Sequence, residues 1–356
     1  MTCSVVILNW NGADVMRRFL PSVLACTTQP ETEVVVVDNG STDDSMSFLQ
    51  SLLPTSEAKA AHLRVIPFAE NYGFAEGYNR AIRMMDSEFV VLLNSDVMVT
   101  EGWLQPVLAY MQEHPEVAAA QPKILAYKSL QAHQEDETKP VTFEHAGAAG
   151  GYIDRLGYPF CRGRVMSYVA EDKGQYDTVA RCFWVSGAAF FIRTEVYNKV
   201  GGLDSKFFAH MEEIDLCWRL NCRGYELVCV PQSAVYHLGG GALAYDNPKK
   251  TYLNFRNNLI MLYKNLPQPR LRRVMAMRFV LDYVAAFQAL VTFKPRHFAA
   301  IFRARKDYMK MRRSFARSRQ ENLNLATSAY PSTISQRSII FDYYFRGKDG
   351  GNTWSS

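Results

Sequence analysis

The feature that most constrains the fold is a set of short apolar runs, each closing on a polar cluster. Residues 4–8 (SVVIL) lead into Asn9 and Asn11, and residues 33–37 (EVVVV) close on Asp38, Asn39 and Ser41. Residues 89–93 (FVVLL) end at Asn94, Ser95 and Asp96. Residues 63–68 and 117–125 read as two further strands, with helical patterns at 14–25, 78–85 and 101–113 between them. Continuous apolar strands separated by helices predict an α/β chain, with a mostly parallel central sheet covered on both faces. Ligands of such sheets bind beyond the carboxyl ends of the strands. The polar clusters fall there.

The remainder is less regular. Residues 128–174, poor in helix signals and rich in Gly and Tyr, read as a long excursion. Residues 181–192 return to strand composition, and 212–221 form a short helix after a turn at Gly201 and Gly202. Two short strands are expected at 227–230 and 235–237, and a helix at 249–266. From Pro267 to about Arg319 the chain is basic and aromatic with helical spacing, and 349–356 read as a frayed end.

The net charge of +5 resides in that tail: fifteen Lys and Arg against two acids between Lys264 and Arg319. The longest apolar run, 281–293, falls short of the roughly 18 residues needed to span a bilayer. The opening MTCSVVILNWNG has neither a basic n-region nor a cleavage site, so a cytoplasmic chain is expected. The seven cysteines, none paired as CxxC, read as reduced and buried, with no zinc site expected.

Several polar groups have a chemical and a plain structural reading. Asp38 at a strand end can accept hydrogen bonds from a pyrimidine or a ribose; alternatively it belongs to a turn capped by Ser41 or Asp43. Asp96 is placed to hold Mg²⁺ or Mn²⁺ against phosphates, or simply ends a strand in a polar turn. In residues 207–219 (FFAHMEEIDLCWR), Asp215 is spaced to pair with Arg219 one turn on. Glu212 and Glu213 point about 100° apart on a helix, so one is free to enter a cleft as a general base. His237 is either a second metal ligand or a structural histidine. Arg256 either reaches phosphate or is a solvated helix charge.

In order along the chain, these pieces resemble glycosyltransferase family 2, in its rhamnosyltransferase-like branch of bacterial cell-surface polysaccharide enzymes. The match is carried by SVVILNWNG (4–12), VVVVDNGSTDDS (34–45), NYGFAEGYNRAI (71–82) and VVLLNSDVMVTEGWL (90–104). It continues in GAAFFIRTEVYNKVGGLD (187–204), EEIDLCWRL (212–220) and VYHLGGG (235–241). The resemblance implies a GT-A fold and inverting transfer from a nucleotide-diphosphate sugar, dTDP- or UDP-linked, to a glycan or lipid-linked oligosaccharide. It implies nucleotide contacts from Asn9, Asn11, Asp38, Asn39, Ser41, Asn71, Gly73, Asn79, Asn94, Ser95 and Arg256. Asp96 and His237 would hold Mg²⁺ or Mn²⁺, and Glu213, or else Glu212, would be the catalytic base. The chain departs from the family pattern at Asn94 and at Glu213, where that pattern has Asp. The first change removes a carboxylate from the metal motif; the second lengthens the base by one methylene.

Residues 1–265 are expected to form the catalytic domain and 266–356 a basic, mainly helical extension. That extension either lies on an anionic membrane surface, peripheral to its inner face, or packs on the core or a partner subunit. No nucleic-acid-binding module accompanies the charge, so no nucleic-acid partner is expected. A sugar nucleotidyltransferase would usually carry a Gly-rich N-terminal loop, and a nicotinamide enzyme a GxGxxG after its first strand; both are missing. The remaining alternative is a catalytically degenerate, sugar-nucleotide-binding membrane scaffold.

Overall fold

The computed structural model describes residues 1–239 and 246–346. Gly240, Gly241 and the expected frayed end at 349–356 lie outside the described residues. The first half contains β1 (Cys3–Asn9), α1 (Ala13–Cys26), β2 (Thr32–Asp38), α2 (Ser45–Leu52), α3 (Ser56–Ala60), β3 (Arg64–Pro67), α4 (Gly73–Ile82), β4 (Phe89–Leu93), β5 (Val97–Val99), α5 (Gln105–Glu113), β6 (Val117–Ala126) and α6 (Tyr127–Glu135). There follow β7 (Gly151–Asp154), β8 (Pro159–Cys161), β9 (Arg164–Val165), β10 (Tyr168–Val169), β11 (Ala180–Arg181), β12 (Ala189–Arg193), α7 (Thr194–Val200), α8 (Glu212–Cys222) and β13 (Glu226–His237). The last part holds α9 (Pro248–Asn265), α10 (Gln268–Val291), α11 (Pro295–Met311), α12 (Ala316–Asn324), β14 (Ile334–Ser335) and α13 (Ile339–Phe345).

The central sheet runs β11-β13-β6-β12-β4-β1-β2-β3, with β5 added to β13. β1 lies parallel between β2 and β4, in a register that sets Asn9 opposite Asp38. β12 runs antiparallel between β4 and β6, so the sheet is mixed at its centre. The β-branched runs alternate between two buried faces. Val6, Val35, Val37, Val90 and Leu92 face Tyr78, Ala81 and Ile82 of α4. Val5, Ile7, Val34, Val36 and Val91 face Met16, Leu20, Val23 and Leu24 of α1. Burying each such side chain contributes about 1.5–3 kcal/mol, which is why both faces of these strands are apolar.

The excursion expected at 128–174 is instead ordered. It opens with α6, and β7 to β10 join β14 in a second sheet, β10-β9-β8-β7-β14. Its strands are two to four residues long, too short to display a period of two, and β14 lies far along the chain. The two strands expected at 227–230 and 235–237 are one strand, β13. Its pairing with β6 slips between Val230 and Ala234. Pro231 stands in that gap and cannot donate to the ladder, which fits an irregularity there. Helices α2, α3 and α7 were not anticipated.

The expectation that no segment is long and apolar enough to span a bilayer is corrected. Among the described residues, α10 meets that criterion by length and composition, though little of it is buried. Counting apolar runs missed it because the run taken began at Leu281, beyond Arg278. Leu271, Val274, Tyr308, Phe315 and Ile334 from the C-terminal part pack in the same core as Trp218 and Leu259.

Candidate functional site

At the carboxyl ends of β1 and β2 the polar side chains form one hydrogen-bonded group. Asn9 Nδ2 donates to Asp38 Oδ1 at 3.0 Å and to Ser41 Oγ at 3.2 Å. Asp38 Oδ2 accepts from the Ser41 amide at 3.0 Å, and Ser41 Oγ accepts from the Asn11 amide at 2.9 Å. Asn11, at φ 49°, accepts from the Thr42 amide at its side-chain Oδ1, at 2.7 Å. Asn39 Nδ2 donates to Asn71 Oδ1 at 2.9 Å, and Asn71 Oδ1 accepts from the Gly73 amide at 2.8 Å. Gly73, at φ 75°, starts α4 in a conformation that side chains disfavour, and a Cβ there would meet nothing within 4 Å. Asp43 accepts from the Ser45 amide at 3.1 Å beside the start of α2, whose N-cap residue, Asp44, makes no side-chain capping bond.

A second group forms where β4, β5 and β13 meet. His237 closes β13 and pairs in register with Val97, so its ring reaches the Asn94–Asp96 turn. His237 Nε2 lies 3.1 Å from Asp96 Oδ1 and 3.5 Å from Asn94 Nδ2. Its Nδ1 is 3.7 Å from Glu144 Oε2, a neighbour the sequence gave no reason to choose. Burial opposes the imidazolium, but the carboxylates of Asp96 and Glu144 outweigh it and raise the ring to about 10. Ser95 is half-buried in the turn. One carboxylate and one imidazole, nearly buried and adjacent, would make a donor set for Mg²⁺ or Mn²⁺ once the ring gives up its proton, with oxygen ligands from elsewhere. Among the described residues no group of three or more His, Cys, Asp or Glu side chains is placed to hold a metal ion.

The acids of α8 split as their helical spacing demands. Asp215 turns inward, fully buried, bonded to Arg219 at 3.1 Å, Lys264 at 2.7 Å and Asn265 at 2.9 Å. Glu212 is buried and Glu213 half-buried. Each leaves Oε2 without a hydrogen-bond partner among the described residues. Burial raises both carboxyls, and the Glu213 charge raises Glu212 further. The Glu213 side chain lies beside Gly187, about 4.0 Å from where a Cβ there would stand. The next residue, Ala188, accepts from the Asn94 amide at 3.0 Å. Glu213 and the Asn94–Asp96 turn thus flank the same short segment.

Two nominated residues are engaged elsewhere. Asn79 binds the Gly202–Leu203 turn: its Oδ1 accepts from Tyr197 Oη at 2.6 Å and the Leu203 amide at 3.0 Å, and its Nδ2 donates to the Leu203 carbonyl at 2.8 Å. Arg256 Nη2 donates to the Phe207 carbonyl at 2.8 Å. Beside it, Asn257 Nδ2 faces the carbonyls of Phe207, Ala209 and His210 at 3.0, 2.7 and 2.8 Å. These contacts hold a strained loop. Phe208, His210 and Met211 have φ values of 72°, 68° and 75°, which cost energy in non-glycine residues. That loop delivers the start of α8. Asn257 and Glu144 were not nominated, and no periodicity or spacing marks either.

Residues 4–168 match the family model of Glycosyl transferase family 2. The chain is 25% identical over 236 residues to the O-antigen biosynthesis protein RfbC of Myxococcus xanthus, covering 66% of this chain but only 17% of that protein. It is 24% identical over 244 residues to the N-acetylglucosaminyl-diphospho-decaprenol L-rhamnosyltransferase of Mycobacterium tuberculosis, covering 65% of this chain and 75% of that one. The crystal structure of GalNAc-T7 with UDP, GalNAc and Mn²⁺ superposes with a TM-score of 0.55 at 16% identity, covering 86% of this chain and 54% of that one. The fold is that of the GT-A glycosyltransferases. The likeness to glycosyl transferase family 2 is carried by residues 4–168, somewhat under half of the chain, and the two bacterial relatives extend it to about two thirds at about 25% identity.

Proposed function

We propose that this chain is an inverting glycosyltransferase. It moves rhamnose or a hexose from a dTDP- or UDP-linked donor to a hydroxyl of a glycan or lipid-linked oligosaccharide. The observation that carries the reading is the shared segment at Gly187–Ala188, with the Asp96–His237 pair reached from one side and Glu213 on the other.

Asp38, oriented by Asn9 and Ser41, accepts hydrogen bonds from the nucleotide. Asn11, Asn39, Asn71 and Gly73 shape the wall around it. Asp96 and His237 would hold Mg²⁺ or Mn²⁺, which supplies positive charge to the departing diphosphate. Asn94 cannot add a second carboxylate, so the remaining ligands would have to come from elsewhere, such as the donor's diphosphate. Glu213 accepts the proton of the acceptor hydroxyl as that oxygen bonds to the anomeric carbon and the bond to the diphosphate breaks. One displacement inverts that carbon. Burial and the Glu213 charge raise the Glu212 carboxyl, so Glu212 stays protonated beside the base. Residues 1–265 perform the transfer, and 266–356 hold the enzyme at the inner face of the membrane, where a lipid-linked acceptor would be met. The mycobacterial relative, named for a decaprenol-linked acceptor, supports that choice.

The test is transfer from dTDP-rhamnose and a panel of UDP-hexoses to lipid-linked acceptors, with Mn²⁺, and with the product anomer read by NMR. An inverted product from one donor class is expected. A retained configuration, or no transfer from any donor, would overturn the reading.

A further inference from the structure

Helix α10 is built inside out for a helix in water. Its buried stripe is Leu271, Val274, Arg278, Asp282 and Ala286. Arg278 and Asp282 are 2% and 0% exposed and pair at 3.1 Å. Asp282 also binds Arg305, and Arg278 also binds Asn258 of α9. The opposite stripe is Met277, Val280, Val284, Phe287 and Val291, every one more than half exposed. That spacing is one face of an α-helix. The stripe runs on into Phe293, 91% exposed in the turn between α10 and α11. From residue 274 to residue 293 the only charged side chains are the buried Arg278 and Asp282. Cations bracket the stripe: exposed Arg272 and Arg273 before it, exposed Lys294 and Arg296 after it.

We infer that this face seats in the surface of an anionic lipid bilayer, with α10 lying in the membrane plane. Charges placed inward and apolar groups outward suit a helix whose outer medium is hydrocarbon. Basic residues at both ends suit anionic headgroups. A helix of 24 residues lays down about 36 Å of such surface. Crossing the bilayer is disfavoured, because the Arg278–Asp282 pair ties the middle of α10 to α9 and α11. This surface deepens the membrane-facing reading given above and rests on it only for the orientation of the cleft.

The test is flotation of the full chain with vesicles of phosphatidylcholine, alone or mixed with phosphatidylglycerol. The wild type is expected to float with the mixed vesicles and far less with phosphatidylcholine alone, with binding falling as salt rises. V284E combined with F287E should lower vesicle binding by about tenfold or more while leaving the thermal melt unchanged. Should that pair unfold the chain, F293S at the exposed turn replaces it and should also reduce binding. Equal flotation of wild type and variants, or none for the wild type, would overturn the inference. So would a wild-type dimer in light scattering that the variants make monomeric, since a second copy would then cover the face. UDP and dTDP binding measured on the same samples keeps the two proposals apart. Vesicle binding lost in the variants, with no nucleotide bound by any sample, would uphold the surface and sink the transfer reading.

Discussion

Asp215→Asn is the substitution whose cost follows most directly from the structure. Asp215 is 0% exposed and meets Arg219 at 3.1 Å and Lys264 at 2.7 Å, themselves almost buried. At an effective dielectric near 20, unit charges about 3 Å apart attract by about 5 kcal/mol before desolvation is subtracted. Removing one partner of a buried pair typically costs about 3–5 kcal/mol, because the remaining charges stay buried. Lys264 keeps Asp204 at 2.6 Å, and Asn retains an oxygen for Asn265, so the low end, about 3 kcal/mol, is expected. With a urea slope of about 3 kcal/mol/M, the unfolding midpoint should fall by about 1 M. The pH dependence has a definite sign. Burial alone would raise this carboxyl, but Lys264 and Arg219 outweigh it and hold it below the ordinary range. Its contribution is therefore present above the unfolded value, about 3.9, and is lost as pH falls through the folded value. The gap between wild type and variant should close on acidification. A midpoint shift under about 0.3 M at neutral pH, or a gap that widens in acid, would refute this reasoning.

Three further outcomes follow from the site. Glu213→Gln should lower transfer by about 10²–10⁴-fold in kcat with little change in nucleotide affinity, and Glu212→Gln by much less, as steady-state kinetics would show. Because burial raises the Glu212 and Glu213 carboxyls, the base form of the pair accumulates only above the ordinary carboxylate range. The acid limb of a kcat/KM profile should lie correspondingly high, and Glu212→Gln should leave it nearly in place, because burial rather than the Glu212 charge raises Glu213. In the same pair, stability is fully present below the unfolded value and declines as pH rises through the raised folded value. Asn79→Ala removes three bonds to the Gly202–Leu203 turn and Tyr197 and should cost about 1–3 kcal/mol in thermal unfolding. Titration with UDP should then find affinity within about twofold of wild type; a large loss of affinity with an unchanged melt would return Asn79 to the nucleotide site.

What the sequence disclosed and what it hid have physical reasons. The β-branched runs at 33–37 and 89–93 could only be doubly covered strands, so the parallel half of the sheet and the clustering of Asn9, Asp38 and Ser41 were legible. Helical geometry alone separated Asp215 from Glu212 and Glu213. The meeting of His237 with the Asn94–Asp96 turn was expected only from the family resemblance, because it joins strands far apart in the chain. Glu144 sits in a stretch without periodicity. The loop at 208–211 is held by Asn257 from a helix far along the chain, and its positive φ values fall on Phe, His and Met rather than on Gly. Helix α10 misled a reading by apolar runs because the run taken began beyond Arg278, a charge that faces inward. Asn79 and Arg256 were named as nucleotide contacts on their motifs alone; in the fold Asn79 bonds Tyr197 and Leu203, and Arg256 bonds the Phe207 carbonyl and the Asn257 and Tyr252 side chains.

The most direct test of the account is calorimetric titration of the wild type, Asp96→Asn and His237→Ala with UDP, dTDP and GDP, with and without Mn²⁺. Binding of UDP or dTDP that requires Mn²⁺, and that falls by at least about tenfold in both variants, is the expected result. Metal-independent binding unaffected by either substitution, or no binding of any nucleotide, would contradict the assignment of Asp96 and His237 and with it the site.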